Sequence, residues 1–154
     1  LQHTMKIEEA IQQKRFKNAY HQAHINVLFT ASWLSQQSAR ILRPFNISWQ
    51  QFNILRILRG MHPEPATVKL LTERMIDKMS NASRLVDKLN RKGLVERKTC
   101  PNDRRRVEIR VTDLGLNLLE KASQVMESNL EAKMASISPE EAQQLSKILN
   151  KIRD

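Results

Sequence analysis

The sequence predicts a mainly α-helical protein with one small β-hairpin, and three observations predict it. Apolar residues recur at helical spacing through most of the 154 residues. Strict alternation is confined to one stretch, where Val107, Ile109 and Val111 alternate with Glu108 and Arg110. The three glycines, at 60, 93 and 115, all fall near the ends of helical stretches.

Lys6 to Arg43 reads as one long helix, or two nearly continuous ones, with no Gly or Pro inside. Phe16, Tyr20, Ala23, Val27, Ala31, Leu34 and Ile41 trace its apolar stripe, which Leu28, Phe29 and Trp33 widen. At ~1.5 Å per residue such a helix exceeds what a small domain needs for its own core. It is therefore expected to pack against another subunit. Pro44 ends it.

In "ISWQQF", Ser48 and Gln51 have the spacing of a capping box, and Ile47 and Phe52 that of a hydrophobic staple. The second helix turns Phe52, Leu55 and Leu58 inward and is expected to stop at Gly60. Thr67 caps a short third helix through Met75, with Val68, Leu71 and Met75 inside. After a break at "IDKM", the fourth helix, "SNASRLVDKLNRKG", carries a core face of Ala82, Leu85, Val86 and Leu89. Gly93 closes it. Leu94 to Lys98 reads as a strand, "CPND" as a turn and Val107 to Val111 as the returning strand. Thr112 caps a helix to about Ser136, and "SPEE" opens a last helix with a stripe of Ala142, Leu145, Leu149 and Ile152.

The net charge is +10, and it is not spread evenly. Between Lys69 and Arg110 thirteen Lys/Arg face six Asp/Glu, a net +7 in 42 residues that leaves +3 for the other 112. A polyanionic partner suits such a segment. No apolar run approaches the ~18 residues of a membrane span, and no charged-then-apolar leader is apparent. A single cysteine excludes an internal disulfide framework and suits a reducing cytoplasm. H-E-x-x-H, G-x-S-x-G, C-x-x-C and any Gly-rich phosphate loop are absent, so neither an enzyme nor a cofactor is implied.

A short helix, a turn and a second helix with a polar outer face form a helix-turn-helix, and the hairpin that follows is a wing. The second helix would enter the major groove of double-stranded DNA with Ser80, Asn81, Ser83, Arg84 and Lys88. Arg bonds bidentately to guanine and Asn to adenine. Arg104, Arg105 and Arg106 would reach the neighbouring minor groove from the hairpin tip. Asp103 would hold one guanidinium in a fork-type pair.

From Ile47 to Glu120 the sequence resembles the MarR transcriptional regulators, most densely in "SRLVDKLNRKGLVERKTCPNDRRRVEIRVTDLG". The recognition-helix core, the K-G-L-V-x-R entry to the wing, the D-R-R tip and the T-x-x-G helix start occur in order. The pattern departs at Leu71-Thr72 and "MIDKMS", which leaves the start of the fourth helix open. The resemblance implies a homodimeric winged helix-turn-helix regulator, repressor or activator, on a pseudo-palindromic operator. Its base-reading helix would be Ser80 to Arg91. Its wing contacts would be Arg97, Lys98, Asp103, Arg104, Arg105 and Arg106. The regions implied are 1–46 and 113–154 for dimerisation and 47–112 for DNA binding. The resemblance also implies a small aromatic or phenolic effector, for which His24, Trp33, Phe45 and Trp49 are candidates; core or interface packing is the alternative for each. Cys100 is either a reactive wing thiol or a small turn residue. His21 and His24 are either half of a metal site or packing residues. The rival to the whole reading is a helical dimer whose winged helix binds an acidic protein surface.

Overall fold

A computed structural model describes residues 4–154; the expected start of the N-terminal region, Leu1 to His3, lies outside them. The chain divides into two compact units, one through Arg40 and one from Ile41 to Asp154.

In the first unit the expected long helix is broken. Helix α1 covers only Ile7–Ala10, and Gln12 then takes a left-handed φ of 54°. Helix α2, Ala19–Leu42, starts afresh at Asn18, whose Oδ1 accepts the His21 N–H at 2.9 Å. Asn18 thus acts as a cap inside what reads as continuous helix. Gln22 Nε2 donates to Glu8 Oε1 at 2.6 Å, and Ile7 is buried, so the two helices are tied together. His21 Nδ1 accepts the Lys17 N–H, and its ring meets Phe16 edge-on at 5.6 Å. That is a packing role. Among the described residues no three His, Cys, Asp or Glu side chains are grouped to hold a metal ion. With 24 residues α2 is about 36 Å long, and Tyr20, Val27, Leu28, Phe29 and Trp33 on it are exposed.

The second unit holds the core. Pro44 lies in a 3-10 turn, Arg43–Phe45, after which Asn46 is left-handed and its carbonyl accepts from Lys92 Nζ. Helix α3, Trp49–Met61, begins with the expected capping box: Gln51 N–H donates to Ser48 Oγ at 3.1 Å, and Ser48 N–H to Gln51 Oε1 at 2.9 Å. It runs through Gly60 to His62 rather than stopping at the glycine, which has no positive φ. Helix α4, Val68–Arg74, is capped by Thr67. Helix α5, Ala82–Arg91, ends at Gly93, whose φ of +71° suits a residue without a Cβ.

Strands β1, Val95–Cys100, and β2, Asp103–Val111, pair antiparallel from Val95↔Val111 to Thr99↔Val107. Both are longer than the sequence pattern suggests, because the outer half of the wing is polar on both faces and shows no alternation. Ile109 also exchanges two backbone hydrogen bonds of 2.8 Å with Ala66, stitching the chain ahead of α4 to the sheet.

Helix α6, Asp113–Met134, is capped by Thr112, whose hydroxyl also donates to the Gly93 carbonyl at 2.7 Å. A Cβ on Gly115 would sit 2.1 Å from the Leu94 carbonyl oxygen, so only glycine fits there. Leu42, Ile54, Leu55, Leu58, Leu71, Met75, Val86, Leu89, Val95, Ile109 and Leu119 form the fully buried centre. Helix α7, Pro139–Ile152, has its capping box at Ser138 and Glu141 but buries no residue. Its stripe, expected as core, is not core within one chain: Leu145 is 50% and Ile152 65% exposed. No described helix is long and apolar enough to cross a membrane.

Gly115→Ala is expected to destabilise the winged helix by about 3 kcal/mol, because backbone carbonyl and β-carbon cannot share that space. Thermal unfolding measures it; an unchanged midpoint would show that α6 shifts without cost.

Candidate nucleic-acid interface

Helix α5 turns Ala82, Val86 and Leu89 into the core and leaves Asn81, Arg84, Lys88, Asn90 and Arg91 exposed. The apolar residues fall on one side and the basic ones on the other, so burial of the first set dictates where the second set points.

The helix starts two residues later than the expected Ser80, and the turn ahead of it uses up some of the proposed reading groups. Asn81 is the N-cap, with Oδ1 accepting the Arg84 N–H at 3.0 Å. One of the two acceptor positions of its side-chain oxygen is thus taken up by the helix. The Ser80 hydroxyl is bonded to Asp77. Arg84 and Lys88 keep exposed side chains. A cleft of about 360 Å³ runs along this end of α5, lined by Gln50, Ser80, Asn81, Arg84, Leu85 and Lys88. Gln50 belongs to α3 and was invisible to a reading along the chain, since only packing brings it here.

The turn between α4 and α5 is held from α3. Buried Asn53 accepts the Ile76 N–H at 2.9 Å, and Gln50 donates to Asp77 at 3.4 Å. Asp77 Oδ1 also accepts the Met79 N–H at 3.0 Å. Hydrogen bonds from Ser80, then Met79 and Gln50, hold the Asp77 carboxyl below its ordinary pKa.

The wing differs from expectation in three ways. First, the arginine triplet is not on a loop. After Thr99↔Val107 the ladder resumes at Cys100↔Asp103, so Arg104, Arg105 and Arg106 have no opposite residues on β1 and form a bulge in β2. All three are exposed, and among the described residues none is in an ion pair. Second, Asp103 does not grip a guanidinium: its Oδ1 accepts the Arg105 backbone N–H at 3.0 Å, an Asx-type bond that shapes the bulge. Third, Arg97 is ion-paired with Asp87 of α5, which ties the wing to the reading helix and draws Arg97 away from the outer face. Lys98 pairs with Glu96 at 3.7 Å, both largely exposed.

Cys100 Sγ lies 3.7 Å from Glu108 Oε1 and is half-buried. Phe45 and Trp49 are partly buried against the core, and Trp49 stacks on Phe52 at 5.9 Å. His24 and Trp33 are exposed positions of α2.

A helix-turn-helix with a two-stranded wing and a basic outer face defines a winged-helix protein. Residues 47–107, which span α3 to the second wing strand, match the model of the MarR family. The chain is 29% identical to a MarR transcription factor from Planctomyces limnophilus, over 88% of this chain and 98% of that one, with a TM-score of 0.68. The ligand-free organohalide-sensing RdhR transcriptional regulator superimposes with a TM-score of 0.80 at 23% identity, covering 92% and 85% of the two chains. The same regulator is known bound to 2,4-dichlorophenol. Staphylococcus aureus MepR in its DNA-binding conformation gives a TM-score of 0.69 at 22% identity, over 84% and 95%. The first two of these proteins are transcription regulators, and this chain shares the fold of all three.

Two predictions follow from the turn and the wing. Asp87→Ala removes an anion from a basic face but also frees Arg97; faster amide exchange in β1 with α3 unchanged is expected, at a cost of up to about 1 kcal/mol. Unaltered β1 exchange would show that the pair holds nothing. Because Asp77 has a lowered pKa, its contribution is complete at neutral pH and is lost as pH falls below the ordinary carboxylate range. Urea unfolding across the acid range should show that loss in the native chain and not in Asp77→Asn.

Proposed function

We propose that the protein is a transcriptional repressor that binds a pseudo-palindromic operator as a homodimer and is released by a small aromatic or phenolic effector. The observation that carries this reading is the division of α5, with an apolar face locked into the core and Asn81, Arg84 and Lys88 exposed beside the cleft. Arg84 reads a base edge in the major groove, and Ser83 and Lys88 lie along the same helix. The Arg104–Arg106 bulge meets phosphates or the minor groove on the flank. Lys98 adds charge there, while Arg97 and Asp103 act by shaping the wing.

Homodimerisation is supported by the apolar side chains that one chain leaves exposed on α2, α6 and α7, among them Tyr20, Leu28, Leu130, Leu145 and Ile152. Two reading heads on one symmetric dimer explain why the operator would be pseudo-palindromic. The effector is supported by the likeness to the regulator bound to 2,4-dichlorophenol. It would act by favouring a dimer spacing that does not fit DNA. A cytoplasmic setting goes with such a role.

Titration into a duplex from upstream of the protein's own gene, and into a scrambled duplex, at several salt concentrations tests the proposal. Tighter binding to the first, with a steep salt dependence in both, is expected. Equal binding to both, or none at low salt, would overturn it. Arg84→Ala should lower discrimination between the two duplexes by about 1–3 kcal/mol. Arg105→Ala should weaken both evenly and shrink the salt slope by about one.

A further inference from the structure

Met79 is 93% exposed, two residues before the N-cap Asn81 of α5, in a turn held by several hydrogen bonds. Its own backbone N–H is bonded to Asp77, its neighbour Ser80 is bonded to the same carboxylate, and Asn53 fixes the backbone three residues earlier. These bonds hold the backbone of the turn, while the apolar side chain of Met79 itself stands in water. Met79 immediately precedes Ser80, which lines the cleft together with Asn81 and Arg84.

The surroundings limit what would cover it. Arg84 and Lys88 line the cleft and are exposed, so a partner surface here is anionic and yet must offer an apolar spot to Met79. The major groove of DNA does both: phosphates line its edges, and each thymine presents one C5 methyl group among hydrogen-bonding atoms. An acidic protein surface offers the charge but no reason for a single methyl-sized contact ahead of the helix.

We infer that Met79 is a specificity-determining residue that packs on a thymine methyl group in the operator half-site, next to the base pair that Arg84 reads. This rests on the duplex binding proposed above. It adds an apolar reader to the polar ones, two residues before Asn81, whose side-chain oxygen is engaged in capping the helix. The unbranched thioether suits the task because it adapts to a small apolar target and loses little on exposure of its ends.

The test uses the full chain and a duplex that it enriches from a randomised pool. Each thymine of that duplex is replaced in turn by deoxyuridine, which lacks only the methyl group. One replacement per half-site is expected to weaken binding by the native protein about fourfold, the effect of uncovering one methyl. Met79→Ala should weaken binding to the parent duplex by a similar factor and show no further loss with deoxyuridine, while Met79→Leu should keep the sensitivity. Met79 is exposed, so neither variant disturbs the core. Equal affinity across the deoxyuridine series, or unchanged sensitivity in Met79→Ala, would overturn the methyl contact and leave DNA reading in place. If the protein enriches no sequence, both the contact and the proposed function fall.

Discussion

Seven of the thirteen residues of α3 are buried, and the helix packs against α4, α5, α6 and β2. Phe52, Ile54, Leu55, Ile57 and Leu58 supply the apolar contact that holds these elements together. The two buried polar residues do something different. Gln51 closes the capping box that starts the helix, and Asn53 reaches out to the turn ahead of α5. A buried amide left unbonded would cost about 1–3 kcal/mol, so each of these residues commits its surroundings to one arrangement. Among the described residues no buried side-chain nitrogen or oxygen lacks a partner. The position of α5 is therefore set twice over, by close apolar packing on its inner face and by directional bonds at its leading end.

Charge on the outer surface is sorted in a comparable way. Some cations are spent on the protein itself: Arg97 joins strand to helix through Asp87, and Lys92 caps the bend at Asn46. Others are left to solvent, above all the three arginines of the β2 bulge. The first group gives the surface a defined shape and the second gives it a field. A surface pair such as Arg97–Asp87 contributes little to overall stability, but it constrains the angle between strand β1 and helix α5.

What was legible in the sequence was what is local. The capping boxes at Ser48 and Ser138, the caps at Thr67 and Thr112 and the turn at Gly93 depend on residues within four positions of one another, and each appears where expected. The buried face of α5 was equally plain, because its period leaves no alternative. The break after α1 was hidden, since it uses a left-handed Gln12 and a capping Asn18 with no glycine or proline to mark it. The wing bulge was hidden because polar residues on both faces of a strand carry no register. At the interface, residue types were readable but their commitments were not. Asn81, Asp103 and Arg97 have the chemistry of DNA contacts, and the fold engages each of them internally. Gln50 and Met79 owe their place entirely to how α3 and the turn are packed.

The bulge has an implication for how such a wing can change. In a regular hairpin one added residue shifts the pairing by one and turns every later side chain to the opposite face. Here pairing is secured on both sides of the arginines, by Thr99↔Val107 within and Cys100↔Asp103 beyond. Residues between Asp103 and Val107 can be gained or lost without moving Val107, Ile109 or Val111 off the core. The tip is thus a segment of adjustable length on a fixed mount, so the reach of the wing can change while the body that carries it stays the same.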